Sequence, residues 1–164
     1  VDFVKANGRL TAATVTPQHL MPNRNDLLVG GVRPHHYCLP ILKRREHQEA
    51  IQAAVLSGHT QFFLGTDSAP HARNAKEAAC GCAGCYSAPA ALPLYAHFFD
   101  THGALDKLEA FASQFGPAFY GLPEHNDTVT LIKKDWQIPA TQHIAGVEFT
   151  PWQGGETIRW CLAD

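Results

Sequence analysis

Two short stretches of this sequence hold most of its capacity for chemistry. Gly65-Thr66-Asp67-Ser68-Ala69-Pro70-His71 sets a carboxylate and an imidazole four residues apart, directly after an apolar run. A carboxylate so placed can bind a divalent cation or act as a general base; it can equally cap the next turn through its own side chain. Cys80-Gly81-Cys82-Ala83-Gly84-Cys85 packs three thiols into six residues. Zinc is one reading, but a closed structural site takes four ligands, and paired C-x-x-C units are the stronger signature. A tight glycine-rich loop fits better, with small buried thiols and backbone N–H groups facing a ligand.

Ten histidines stand in the chain. His35 and His36 fall in a segment that reads as extended, where neighbours point to opposite faces. They are not expected to chelate one ion together; one packed and one solvated ring is expected. His19 closely follows a first strand and reads as close to the same mouth as Asp67. His47, His59, His97, His102 and His125 have no partner at ligand spacing and read as surface residues. The sequence contains no glycine-rich phosphate loop, G-x-S-x-G elbow or H-E-x-x-H helix. Phosphoryl transfer, serine hydrolysis and metalloprotease chemistry thereby lose their main support.

The elements that must position these residues are alternating. After a helical stub over residues 1–8, residues 10–16 are rich in β-branched side chains, stop at Pro17 and read as a buried strand. Residues 17–40 are broken by prolines and glycines, and a loop that long inside a domain usually carries function. Residues 46–56 suit an amphipathic helix with Ile51, Ala54 and Val55 inward and Gln48, Glu49 and Gln52 opposite. Residues 61–67 form a second apolar strand running into Asp67. Strand, helix, strand of this kind predicts a parallel βαβ unit and an α/β fold, whose ligands gather at the carboxyl ends of the strands. Helices are expected over 88–99 and 105–115, the second broken by Gly116-Pro117. Small outlying strands are expected over 128–132 and 157–162.

Composition bounds the rest. The 164 residues are 45% hydrophobic and 17% charged, a globular balance sufficient for about one domain. Thirteen basic against fifteen acidic residues leave no excess to neutralise a phosphate backbone, and no apolar run reaches membrane length. Neither nucleic acid nor membrane is expected as a partner. An odd count of five cysteines without secretory features points to free thiols and a cytoplasmic setting. The uncapped helix at Val1 suggests a piece of a longer chain.

Five stretches in order carry a family resemblance: Thr16-Pro17-Gln18-His19-Leu20, Val29-Gly30-Gly31-Val32-Arg33-Pro34, Tyr37-Cys38-Leu39-Pro40-Ile41-Leu42-Lys43, Phe63 to His71, and Cys80 to Cys85. Together they resemble bacterial dihydroorotases of the shorter, homodimeric type, over the length of this chain but over only the C-terminal half of that family. The resemblance implies an amidohydrolase TIM (β/α)8 barrel, with residues 10–16 as its seventh strand and 61–67 as its eighth. Closing helices and a C-terminal appendage would follow, so that residues 1–164 are a single C-terminal part of one barrel domain. It also implies reversible zinc-dependent cyclisation of N-carbamoyl-L-aspartate to L-dihydroorotate in pyrimidine synthesis.

By resemblance, Asp67 is a ligand of a binuclear Zn2+ site and the proton relay, while Leu39, His71 and Ala83 hold substrate, Leu39 and Ala83 through backbone groups. The other zinc ligands and the clamp on the substrate carboxylate belong to the missing N-terminal half. This chain alone is therefore expected to be inactive, with that half as its partner and a homodimer as the intact form. Two alternatives stand beside this reading: a hydantoinase-like cyclic amidase, and a non-catalytic zinc-binding module on the cysteine loop.

Overall fold

The computed structural model describes residues 1–123 and 126–163, so His125 lies outside the described residues. A short helix α1 (Asp2–Ala6) leads into β1 (Ala13–Val15), a one-turn helix α2 (Pro17–Leu20), helix α3 (Arg45–Leu56) and β2 (Phe62–Leu64). The two strands pair in parallel, with Ala13 opposite Phe62 and Val15 opposite Leu64, as two apolar runs joined through a helix require. Each strand keeps only the middle of its apolar run. β1 ends where Pro17, which has no N–H to give a ladder, opens α2.

Helix α3 buries Ala54 and Val55, as its spacing predicts. Two glutamines of its polar side are not left to solvent. Gln48 donates to the carbonyls of Leu20 (3.1 Å) and Met21 (2.6 Å), and Gln52 donates to Leu20 (2.7 Å). These carbonyls end α2 and have no intrahelical donor, so the two glutamines close that helix. The long connection before α3 is irregular except for 3-10 turns at Arg24–Leu27 and Pro34–His36. His35 and His36 therefore lie in a turn, not in the extended segment expected of them, because Pro34 presets the first helical φ.

Beyond β2 come a one-turn helix α4 (Arg73–Lys76) and helix α5 (Ala91–Thr101), which follows a 3-10 turn at Ala88–Ala90. Helix α5 is apolar on nearly every side and accordingly buried. Its Tyr95, Phe98 and Phe99 join Val15, Val55 and Phe62 in one core. Its Leu94 joins Cys38, Cys85, Ile138 and Trp152 in a second. The expected helix over 105–115 is instead a 3-10 turn (Leu105–Lys107) and a π-helical stretch (Ala110–Gln114) leading into α6 (Phe115–Tyr120). Gly116-Pro117 does not break it. Pro117 falls in the first turn of α6, where its missing N–H costs no intrahelical bond.

The C-terminal region pairs β3 (Leu131–Gln137) with β6 (Thr157–Leu162) in antiparallel fashion. β3 begins at Leu131, so residues 128–130 stay outside it. Between these strands lies an unanticipated hairpin of β4 (Gln142–Ile144) and β5 (Val147–Phe149). Asp100 at the end of α5 anchors the β3–β6 pair, accepting from Lys133 Nζ at 2.8 Å and Trp160 Nε1 at 3.2 Å. The architecture is α/β. No helix among the described residues is long and apolar enough to cross a membrane.

Candidate active site

The carboxyl ends of β1 and β2 are held by donors from elsewhere in the chain. Tyr95 donates its hydroxyl to the Val15 carbonyl at 2.7 Å, with the Gly65 carbonyl 3.4 Å away. Gln18 Nε2 and the Ser87 hydroxyl donate to the Thr66 carbonyl at 3.1 and 3.2 Å. Burial pushes the Tyr95 hydroxyl far above its ordinary range, which keeps it a donor at every physiological pH. Gly65 is required here by close approach, since a Cβ on it would stand 2.3 Å from Thr14 Cβ.

From this fixed base the chain turns sharply. Asp67 adopts φ +44°, a left-handed conformation that Asp tolerates better than most residues. Its side chain is exposed and makes no hydrogen bond to the turn that follows among the described residues. The capping alternative is thus not what the carboxylate does. It lines an open cavity of about 530 Å³, together with Thr14, Thr16, His19, Pro40 and Gly65.

His19 meets the expectation of a place near this mouth. Its Nε2 donates to the Pro40 carbonyl at 2.8 Å, which leaves Nδ1 to share a hydrogen with the Thr16 hydroxyl at 2.7 Å. The neighbouring Cys38 thiol raises the pKa of His19, and Cys85, with His19, holds the Cys38 thiol below its ordinary range. His19 thereby ties the segment carrying Leu39 to the end of β1. Sequence reasoning names its place but not this role.

The cysteine loop lies directly beside Asp67. Ser68 bridges to Cys85 in parallel, and the Ala69 N–H donates to the Cys85 carbonyl at 2.9 Å. His71 Nε2 donates to the Ala83 carbonyl at 3.1 Å, so two of the expected substrate residues touch. Gly84 makes that contact possible: a Cβ there would come within 2.6 Å of Ala69 Cβ and 3.0 Å of His71 Cδ2. The Gly84 N–H donates to the Tyr37 carbonyl at 2.9 Å, joining the loop to the segment of Leu39, whose side chain is 63% exposed. Neither Leu39 N–H nor Ala83 N–H has a hydrogen-bond partner among the described residues.

Lys76 escapes sequence reasoning altogether. It is only 3% exposed and donates from Nζ to the carbonyls of Tyr37 (2.9 Å), Cys82 (2.6 Å) and Gly84 (2.8 Å). Nothing in a single lysine between Ala75 and Glu77 signals burial.

The thiols do not converge. Cys80 is exposed, Cys82 half-buried and Cys85 buried, with Cys85 Sγ directed to the His35 carbonyl at 3.4 Å. Among the described residues no three His, Cys, Asp or Glu side chains are grouped to hold a metal ion. His35 pairs with Glu77 at 3.0 Å, and Arg73 links Glu77 to Glu148 of β5. His36 is half-buried with its edge to Trp152, and burial lowers its pKa. His47 and His102 are exposed, whereas His59 and His97 are half-buried, packed near Phe62 and beside Arg159 respectively.

No family model matches the chain. It is 68% identical over 99% of its length to a dihydroorotase from Alcanivorax borkumensis, covering 47% of that protein. Its fold matches the crystal structure of dihydroorotase from Campylobacter jejuni with a TM-score of 0.88 at 33% identity, over 99% of this chain and 47% of that one. It also matches dihydroorotase from Saccharomyces cerevisiae in complex with 5-fluoroorotic acid, with a TM-score of 0.85 at 33% identity, over 93% and 43% of the two chains. The chain spans about half the length of the curated relatives it matches. Sequence and fold agree that it belongs to the dihydroorotase family, of which it represents the C-terminal half.

Proposed function

We propose that this chain supplies the last two strands, the closing helices and part of the substrate site of a dihydroorotase barrel, with β1 and β2 as strands seven and eight. Completed by an N-terminal half, it interconverts L-dihydroorotate and N-carbamoyl-L-aspartate in a reducing, cytoplasmic setting, as a homodimer. The observation that carries this reading is that the loop of the His71–Ala83 pair is bridged to Ser68, the residue after Asp67, at the carboxyl end of a parallel strand pair, where α/β folds bind ligands.

Asp67 fits a metal centre as one ligand, being an exposed carboxylate that faces the cavity without a protein partner among the described residues. Bound Zn2+ would polarise the ring carbonyl and make hydroxide available near neutral pH. In the hydrolytic direction an Asp67 carboxylate oxygen takes a proton from the attacking water. It then delivers that proton to the ring nitrogen as the C–N bond breaks. The Ala83 carbonyl orients the His71 ring through Nε2, which leaves Nδ1 for a substrate group. The unpartnered N–H groups of Leu39 and Ala83 are donors for the substrate's oxygens. The ring carboxylate of the 5-fluoroorotic acid carried by the yeast relative has the chemistry these groups would bind.

The test is a chimera joining residues 1–164 to the N-terminal half of the Alcanivorax borkumensis relative. Turnover of dihydroorotate and not of hydantoin supports the reading. Preference for hydantoin makes the chain part of a different cyclic amidase. A folded, zinc-loaded chimera without activity on dihydroorotate overturns the proposal.

A further inference from the structure

We propose that Lys76 is a positioning residue of the substrate site, whose ammonium turns the Ala83 N–H toward the substrate by holding the Cys82 carbonyl behind it. This rests on the dihydroorotase reading above.

The geometry follows from the planarity of the peptide unit. The Cys82 carbonyl and the Ala83 N–H belong to one trans peptide and point in opposite directions. With the carbonyl fixed 2.6 Å from Lys76 Nζ, the N–H must face away from the lysine, and it has no protein partner among the described residues. Donation from an ammonium also polarises the peptide, which makes its N–H a stronger donor. The same ammonium grips the Gly84 carbonyl on the other flank of Ala83 and the Tyr37 carbonyl two residues before Leu39. One charge thus locks together two backbone segments that are distant in sequence. The helix that carries it starts two residues after His71.

Stability does not account for such a residue. Burying an ammonium is costly, and an apolar side chain of similar volume usually serves a core as well or better. The three bonds of Lys76 go to carbonyls, and among the described residues no carboxylate pairs with it, the Tyr37 ring 5.7 Å away being its other neighbour of note. An ammonium has the right shape for this role. Its three donors spread as a tetrahedral fan and reach three carbonyls, where the planar fork of arginine matches paired oxygens.

The experiment compares Lys76→Met and Lys76→Gln with the unsubstituted chimera, measuring KM and kcat for dihydroorotate, zinc content and melting temperature. Lys76→Met is expected to raise KM between about tenfold and 100-fold, with a smaller change in kcat and unchanged zinc. Lys76→Gln, which keeps part of the donor set, is expected to fall between. A purely structural role would reduce the amount of active protein and its melting temperature while the surviving molecules kept their KM. That outcome in either variant overturns the proposal, and Lys76→Gln decides it if Lys76→Met does not fold. An unsubstituted chimera that leaves dihydroorotate intact sinks the dihydroorotase reading first, and this inference with it.

Discussion

Tyr95 donates its hydroxyl proton to the Val15 carbonyl at 2.7 Å, reaching from the middle of α5 to the last residue of β1. Both residues are buried, so no water replaces the bond if it is removed. Tyr95→Phe leaves that carbonyl unpaired and is expected to cost about 1–3 kcal/mol in urea unfolding of the chimera. Because the same hydroxyl stands near the Gly65 carbonyl, kcat should fall as well, through a loosened Asp67.

Gly65→Ala forces a Cβ into Thr14 and must spread the two strands. A loss of about 1–3 kcal/mol is expected, typical of overpacking. The double variant with Thr14→Gly removes the obstructing Cβ. It should recover part of the loss, and a strictly additive result in denaturant titration would contradict the proposed contact.

Asp67→Asn keeps a residue that tolerates φ +44° and keeps nearly the same shape, so the fold should survive. An amide cannot take the proton from water. Steady-state assays are expected to show kcat lower by about 10²–10⁴-fold with circular dichroism unchanged.

Acid should loosen the β3–β6 pair from α5. Lys133, with the Trp160 N–H, holds the Asp100 carboxyl below its ordinary value of 3.8. A depressed carboxyl stabilises the fold fully above its unfolded pKa, and that contribution fades as pH falls through the lower folded value. Asp100→Asn should therefore melt below the parent at pH 7, with the gap closing below about pH 4. A gap independent of pH would show that the charge is not what matters.

Much of this fold is readable because the apolar periods are clean. β1, α3 and β2 follow from β-branched runs and a 3.6-residue apolar spacing, and their parallel pairing follows from the helix between them. Asp67 is legible from its position after an apolar strand. The β4–β5 hairpin is not, because its two-residue turn puts Ala145 and Gly146 at φ +50° and +78°, where Asn-Gly or Asp-Gly would have signalled it. The helical run through Pro117 is hidden because the π-helical stretch before it leaves proline in a first turn. Gln48 and Gln52 read as a solvated face because their carbonyl partners are nearly 30 residues or more away. Lys76 is silent for a similar reason: its partners are backbone oxygens, and these leave no trace in side-chain pattern.

Helix α5 belongs to both cores, with Tyr95 and Phe99 on one side and Leu94 on the other. Neither core can come apart without exposing a face of this one rod. The parallel strand pair and the C-terminal sheet should accordingly lose their slowest-exchanging amides together, as one cooperative unit and not as a domain with a detachable tail. Lesions in the distal sheet, such as one at Ile158, would then lower the occupancy of the intact site without altering the chemistry of the molecules that remain folded.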